Sequence, residues 1–142
     1  MPTASRKAIV VEGEVGFYHC VARCVRRAFL CGEDPYLGRN FDHRKQWVRE
    51  RLALLAEVFG IDICGYAVLS NHIHLVLRLR PDIVGQWSDE EVVTRWLRLS
   101  KRPISKQQRE ALLANRPRLA ELRRRLSSLS WFMRYLNEHI AR

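Results

Sequence analysis

The chain has 142 residues, 47% of them hydrophobic and 28% charged, the size and balance of one compact domain with a core of its own. Seven glycines and five prolines are too few for a linker or low-complexity protein, and no apolar run approaches the roughly 20 residues that span a bilayer, so no membrane partner is expected. The formal net charge of +10 points instead towards polyanions.

In chain order, residues 1–11 lack the apolar segment of a secretory signal. Residues 16–24 (GFYHCVARC) are rich in strand formers and predict a strand, and residues 26–30 predict a second short one. Residues 32–41, with Pro35 and Gly38, read as a loop. Between positions 43 and 59, Trp47, Val48, Leu52, Leu55, Val58 and Phe59 recur at three-to-four spacing, one face of an amphipathic helix that Gly60 ends. Residues 61–69 and 73–79 predict a hairpin closed by a tight Ser70–Asn71 turn. Pro81 follows, and Ser88 with Glu91 three residues later opens a helix through Val92, Val93, Trp96 and Leu97. Pro103 and Pro117 divide the helical remainder, whose last helix starts near Ser128 with Leu129, Phe132, Met133, Leu136 and Ile140 on one stripe. The order of elements predicts an α+β fold, an antiparallel sheet with packed helices, as one domain over residues 1–142. The four cysteines, Cys20, Cys24, Cys31 and Cys64, form no CxxC pair and read as reduced thiols of a cytoplasmic protein.

The charge is unevenly spread. Residues 1–94 carry 12 basic and 12 acidic side chains, and residues 95–142 carry 13 basic and 3 acidic. Arg95, Arg98, Lys101, Arg102, Arg123, Arg124 and Arg125 are therefore candidate DNA contacts, since neutralising phosphates releases condensed counterions. The competing reading is a solvated basic helix face.

The stretch Asn71-His72-Ile73-His74-Leu75-Val76-Leu77-Arg78-Leu79 carries the chemistry. On a strand Ile73, Leu75, Leu77 and Leu79 form an apolar row, while His72 and His74 stand together on the other face. Two adjacent imidazoles can chelate a metal and leave coordination positions open for water or a phosphate oxygen. Taken alone, His-x-His on a strand is a weak signal that also reads as two histidines on an exposed strand face.

The runs Phe17-Tyr18-His19-Cys20-Val21-Ala22-Arg23-Cys24 and Ser70-Asn71-His72-Ile73-His74-Leu75, with the helix ending Phe59-Gly60 between them, resemble the IS200-like tyrosine transposases. Within that family the chain looks most like the REP-associated tyrosine transposases. The resemblance covers most of residues 15–142. It implies a ferredoxin-like fold and a divalent metal, Mg²⁺ or Mn²⁺, on His72 and His74. It further implies a tyrosine on a downstream helix that cleaves single-stranded or hairpin DNA through a 5′-phosphotyrosine link, in an enzyme that can act as a homodimer. Anchored on Phe132-Met133, the family's tyrosine position falls at Ile140, which cannot be a nucleophile. The tyrosine of this helix is Tyr135, which shares a helix flank with His139, the candidate third metal ligand. Their alternatives are an amphipathic residue at the edge of the core and a cation at a helix C-terminus. Family members continue beyond the last helix, so a C-terminally truncated domain is expected. The alternative function is a DNA-binding protein of the same fold without the nucleophile. Val76, where a third histidine would stand, argues against a histidine-triad hydrolase.

Overall fold

The computed structural model describes residues 10–23, 33–34, 39–40 and 43–140. Strand β1 (Gly16–Arg23) is followed by the two-residue strands β2 (Glu33–Asp34) and β3 (Arg39–Asn40), then helix α1 (His43–Val58), β4 (Ile61–Val68) and β5 (His72–Leu79). Five helices follow among the described residues: α2 (Pro81–Val84), α3 (Asp89–Leu97), α4 (Lys106–Ala114), α5 (Arg116–Arg125) and α6 (Leu129–Ile140). The architecture is mixed α+β. No helix among the described residues is long and apolar enough to cross a membrane.

β5 is the centre of a three-stranded antiparallel sheet of order β1-β5-β4. The β4–β5 hairpin follows the alternation in the sequence, and the Leu69 N–H closes it by donating to the His72 carbonyl at 2.8 Å. A register shift between Ile63 and Gly65 marks a bulge in β4. β2 pairs with β3, so part of the expected loop at 32–41 folds back as a small ladder. The strand expected at 26–30 lies outside the described residues.

The apolar row of β5 is fully inside: Ile73, Leu75, Leu77 and Leu79 are no more than 2% exposed. They join Val48, Leu52 and Leu55 of α1 and Phe132, Met133, Leu136 and Ile140 of α6 in one cluster, so these helices cover this face of the sheet. Each fully buried leucine contributes about 1.5–3 kcal/mol. Two serine caps set helix starts, Ser88 accepting from the Glu91 N–H and Ser105 from the Gln108 N–H. The second is a full capping box, with Gln108 Oε1 accepting in return from the Ser105 N–H at 2.8 Å.

Gly60 does more than end α1. It is buried, its N–H donates to the Leu126 carbonyl at 2.7 Å, and its carbonyl accepts from the Arg80 N–H at 2.9 Å. A Cβ here would overlap the Val84 Cγ2 methyl, so the close approach of α2 requires glycine.

Candidate functional site

The other face of the sheet carries no helix among the described elements. Alternation along β5 puts His72, His74, Val76 and Arg78 there, and the register with β1 adds Phe17, His19, Val21 and Arg23. Phe17 is 64% exposed, with Val21 and Val76 also open, an unusual density of bare apolar surface for one small sheet. The Arg78 guanidinium lies 5.4 Å from the centroid of the Phe17 ring.

Three imidazoles form a row on this face. His72 and His74 have ring centroids 4.8 Å apart at 69°. His19 pairs with Val76 while Val21 pairs with His74, so His19 and His74 are diagonal neighbours. Their nitrogens, His19 Nε2 and His74 Nδ1, are 3.0 Å apart. His72 Nδ1 lies 2.6 Å from Asn71 Oδ1. With that oxygen accepting, a neutral His72 ring has its proton on Nδ1 and presents Nε2 as the lone-pair nitrogen. The hairpin thus has the donor set for one side of a divalent cation, with the remaining positions left to water or phosphate. Among the described residues no group of three or more His, Cys, Asp or Glu converges as a metal cage.

Tyr135 and His139 are not brought to this pair. Both sit on α6, on the helix-covered side of the sheet. Tyr135 packs against Phe59, Trp96 and Trp131, with ring centroids at 6.3, 5.8 and 6.3 Å. Burial raises its phenol above the usual 10.0, with the nearby Glu138 carboxylate adding to the effect, so the hydroxyl is held protonated. His139 stacks on Trp47 of α1, centroids 3.9 Å apart, and its buried Nε2 finds no hydrogen-bond partner. Burial first, and then the positive charge of Arg51, push its imidazole below the usual 6.5. His139 is therefore a neutral packing residue against α1.

The seven candidate DNA contacts divide. Arg95 donates to the carbonyls of Glu57 and Val58, pairs with Glu91 at 2.7 Å and lies 3.8 Å above the Trp87 ring. Arg98 pairs with Glu57. Arg123 donates to the Val84 and Trp87 carbonyls at 2.7 and 2.6 Å and pairs with Asp89. Arg124 pairs with Glu121 and Glu12, and Arg125 pairs with Glu121 while its guanidinium lies 4.0 Å from the Trp131 ring. Arg95, Arg98, Arg123 and Arg125 thereby tie their helices to neighbouring elements, whereas Arg124 bonds within α5 and to Glu12 before β1. Lys101 and Arg102 are exposed and form no ion pair among the described residues. Lys106, Arg116 and Arg118 on α4 and α5 share that condition and extend the same outward charge.

His19 is a site residue that the sequence alone leaves unassigned. Its signal is register: only the non-local pairing of β1 with β5 shows that residue 19 meets residue 74. Of the cysteines, Cys20 is buried and Cys64 exposed, while Cys24 and Cys31 lie outside the described residues. Compared with family models, with curated proteins and with solved structures, the chain matches none.

Proposed function

We propose that the chain is a metal-dependent DNA-cleaving and DNA-joining domain of the IS200-like tyrosine transposase kind, ferredoxin-like in arrangement and acting in the cytoplasm. Its substrate is single-stranded or hairpin DNA, processed through a 5′-phosphotyrosine link. The observation that carries this reading is the placement of His72 and His74 side by side on the open face of the central strand, with Asn71 orienting the first of them. When bound there, Mg²⁺ or Mn²⁺ supplies Lewis-acid polarisation of the scissile phosphate.

The chain's own groups supply the rest. Arg23 and Arg78 offer positive charge to backbone phosphates crossing the face, and the bare Phe17 ring offers a base a surface to stack on. Lys101, Arg102, Arg116 and Arg118 add a salt-sensitive attraction. Tyr135 lies behind the sheet from His72 and His74, so the tyrosine that attacks at this face comes from a second copy of the chain. A second reading is favoured by the aromatic packing and raised pKa of Tyr135: a DNA-binding relative that no longer cleaves.

Incubation with end-labelled single-stranded hairpin DNA and Mn²⁺ separates the two. The transposase reading expects a denaturant-stable adduct on Tyr135, lost in Tyr135→Phe and in His72→Ala/His74→Ala. Cleavage that survives the double histidine replacement refutes the metal pair. Salt-sensitive binding with no adduct selects the second reading.

A further inference from the structure

We propose that His19 is a positioning residue for His74: it accepts the proton on His74 Nδ1 and so turns the His74 Nε2 lone pair towards the cation. This rests on the metal-binding reading of His72 and His74 and adds a residue to it.

The geometry is specific. The two nitrogens are 3.0 Å apart while the ring centroids are 5.1 Å apart and the ring planes lie only 7° from parallel. Rings so disposed meet edge to edge in nearly one plane, the direction in which an imidazole N–H and a ring lone pair both point. One nitrogen must donate and the other accept. If His74 Nδ1 donates, its Nε2 is a bare lone pair. If it accepts, its Nε2 carries the proton and cannot bind a cation.

His72 shows which choice the face makes, because Asn71 Oδ1 at 2.6 Å can only accept from His72 Nδ1. The same tautomer at His74 gives two neighbouring rings of the central strand equivalent Nε2 donors. His19 and Asn71 then play one role from two sides, one from the adjacent strand and one from the hairpin turn. Such outer partners fix ring orientation and tautomer, and their loss commonly costs 10–100-fold in metal affinity. His19 suits the task because it is exposed on an edge strand, outside the core, so its replacement leaves the packing intact.

The test uses the full chain. Long-range ¹H–¹⁵N spectra of the metal-free protein, taken where its imidazoles are neutral, are expected to find the Nδ1–H tautomer at both His72 and His74. His19→Ala is expected to shift His74 towards Nε2–H and leave His72 unchanged. Calorimetry with Mn²⁺ alone is expected to find about 10–100-fold weaker binding in His19→Ala, and recovery in His19→Gln, whose Oε1 can accept the same proton. An Nε2–H tautomer at His74 in the wild type overturns the assignment. So does a His19→Gln variant as weak as His19→Ala, which would make the imidazole itself a ligand. Wild-type Mn²⁺ binding that His19→Ala leaves unchanged overturns the role of His19 alone. Absence of Mn²⁺ binding to the wild type overturns the metal site of the proposed function and this role with it. A urea midpoint unchanged in both variants establishes that the comparison is between folded proteins.

Discussion

Replacing Arg123 by glutamine separates a fold arginine from a DNA arginine. The Arg123 Nη1 donates to two carbonyls, those of Val84 and Trp87, at 2.7 and 2.6 Å, and so holds α5 against the segment between α2 and α3. The side chain is 26% exposed, which shelters these bonds, whereas Asp89, its ion-pair partner, is 63% exposed. Hydrogen bonds from a charged donor contribute about 1.5–3 kcal/mol each, and an open ion pair contributes about 0–1 kcal/mol. Two bonds sharing one nitrogen are not additive, and glutamine is too short to span both carbonyls. The expected loss is therefore roughly 2–4 kcal/mol. At about 2–4 °C per kcal/mol for a domain near this size, the melting temperature falls by roughly 4–16 °C. Urea unfolding followed by circular dichroism measures the first quantity, and a salt titration of DNA binding by the folded variant measures a second. The salt slope is expected to stay at its wild-type value. A variant that unfolds at the wild-type midpoint yet loses DNA affinity would refute the reasoning, because Arg123 would then be directing its charge at phosphates.

The complementary variants are Arg102→Gln and Arg118→Gln. Each is expected to leave stability within about 0.5 kcal/mol and, on single strands, to reduce the slope of log affinity against log salt by about 0.7 for each phosphate it no longer neutralises. Gly60→Ala is expected to destabilise by about 1–3 kcal/mol, since its new methyl meets Val84, and Val84→Ala in the same chain is expected to recover part of that loss. Strictly additive urea midpoints in that double-mutant cycle would show that the two side chains do not meet. Glu121, held between Arg124 and Arg125 by hydrogen bonds, has its carboxyl lowered from 4.5 to about 2. Between those values the unfolded chain binds more protons, so this stabilisation is complete above pH 4.5 and lost as pH falls towards 2. Glu121→Gln is expected to flatten the acid limb of stability in that window. For His139, half-buried and lowered from 6.5, stability is expected to fall as pH drops below 6.5, and His139→Gln is expected to remove that component.

What is legible in the chain is what depends on neighbours in sequence. The period of two in 73–79 locates both the buried row and the histidine face, and the three-to-four spacing of Leu129, Phe132, Met133, Leu136 and Ile140 locates the buried stripe of α6. The Ser88 cap is equally local, and so is the capping box in Ser105-Lys106-Gln107-Gln108, although only the structure brought it out. Pairing across long separations is not legible. Nothing near residue 19 indicates that β1 lies against β5 rather than β4, so the His19–His74 pair is invisible without the sheet register. Counting charges likewise locates the basic half of the chain but not the carboxylates opposite it. Glu57 and Asp89 pair with Arg98 and Arg123 across elements, and Glu91 and Glu121 pair with Arg95, Arg124 and Arg125 along their own helices, so five of the seven candidate DNA contacts face a carboxylate. Shared flank on a helix also differs from shared surroundings: Tyr135 and His139 are one turn apart, yet one packs on tryptophans of α3 and α6 and the other on Trp47.

Among the described residues the paired imidazoles stand on the central strand of their sheet, bonded along both sides, with Gly16–Arg23 on one flank and Ile61–Val68 on the other. Amides in such a strand exchange with deuterated solvent only through the larger openings of the molecule, not through fraying. The spacing between His72 and His74 is accordingly held at nearly the stability of the whole domain. A ligand arriving at this face meets rings already ordered, so little of its binding free energy goes into organising them. Among the described residues strand β1, which carries His19, is paired along one side, and the exchange of its amides would report how firmly the third imidazole stays in register.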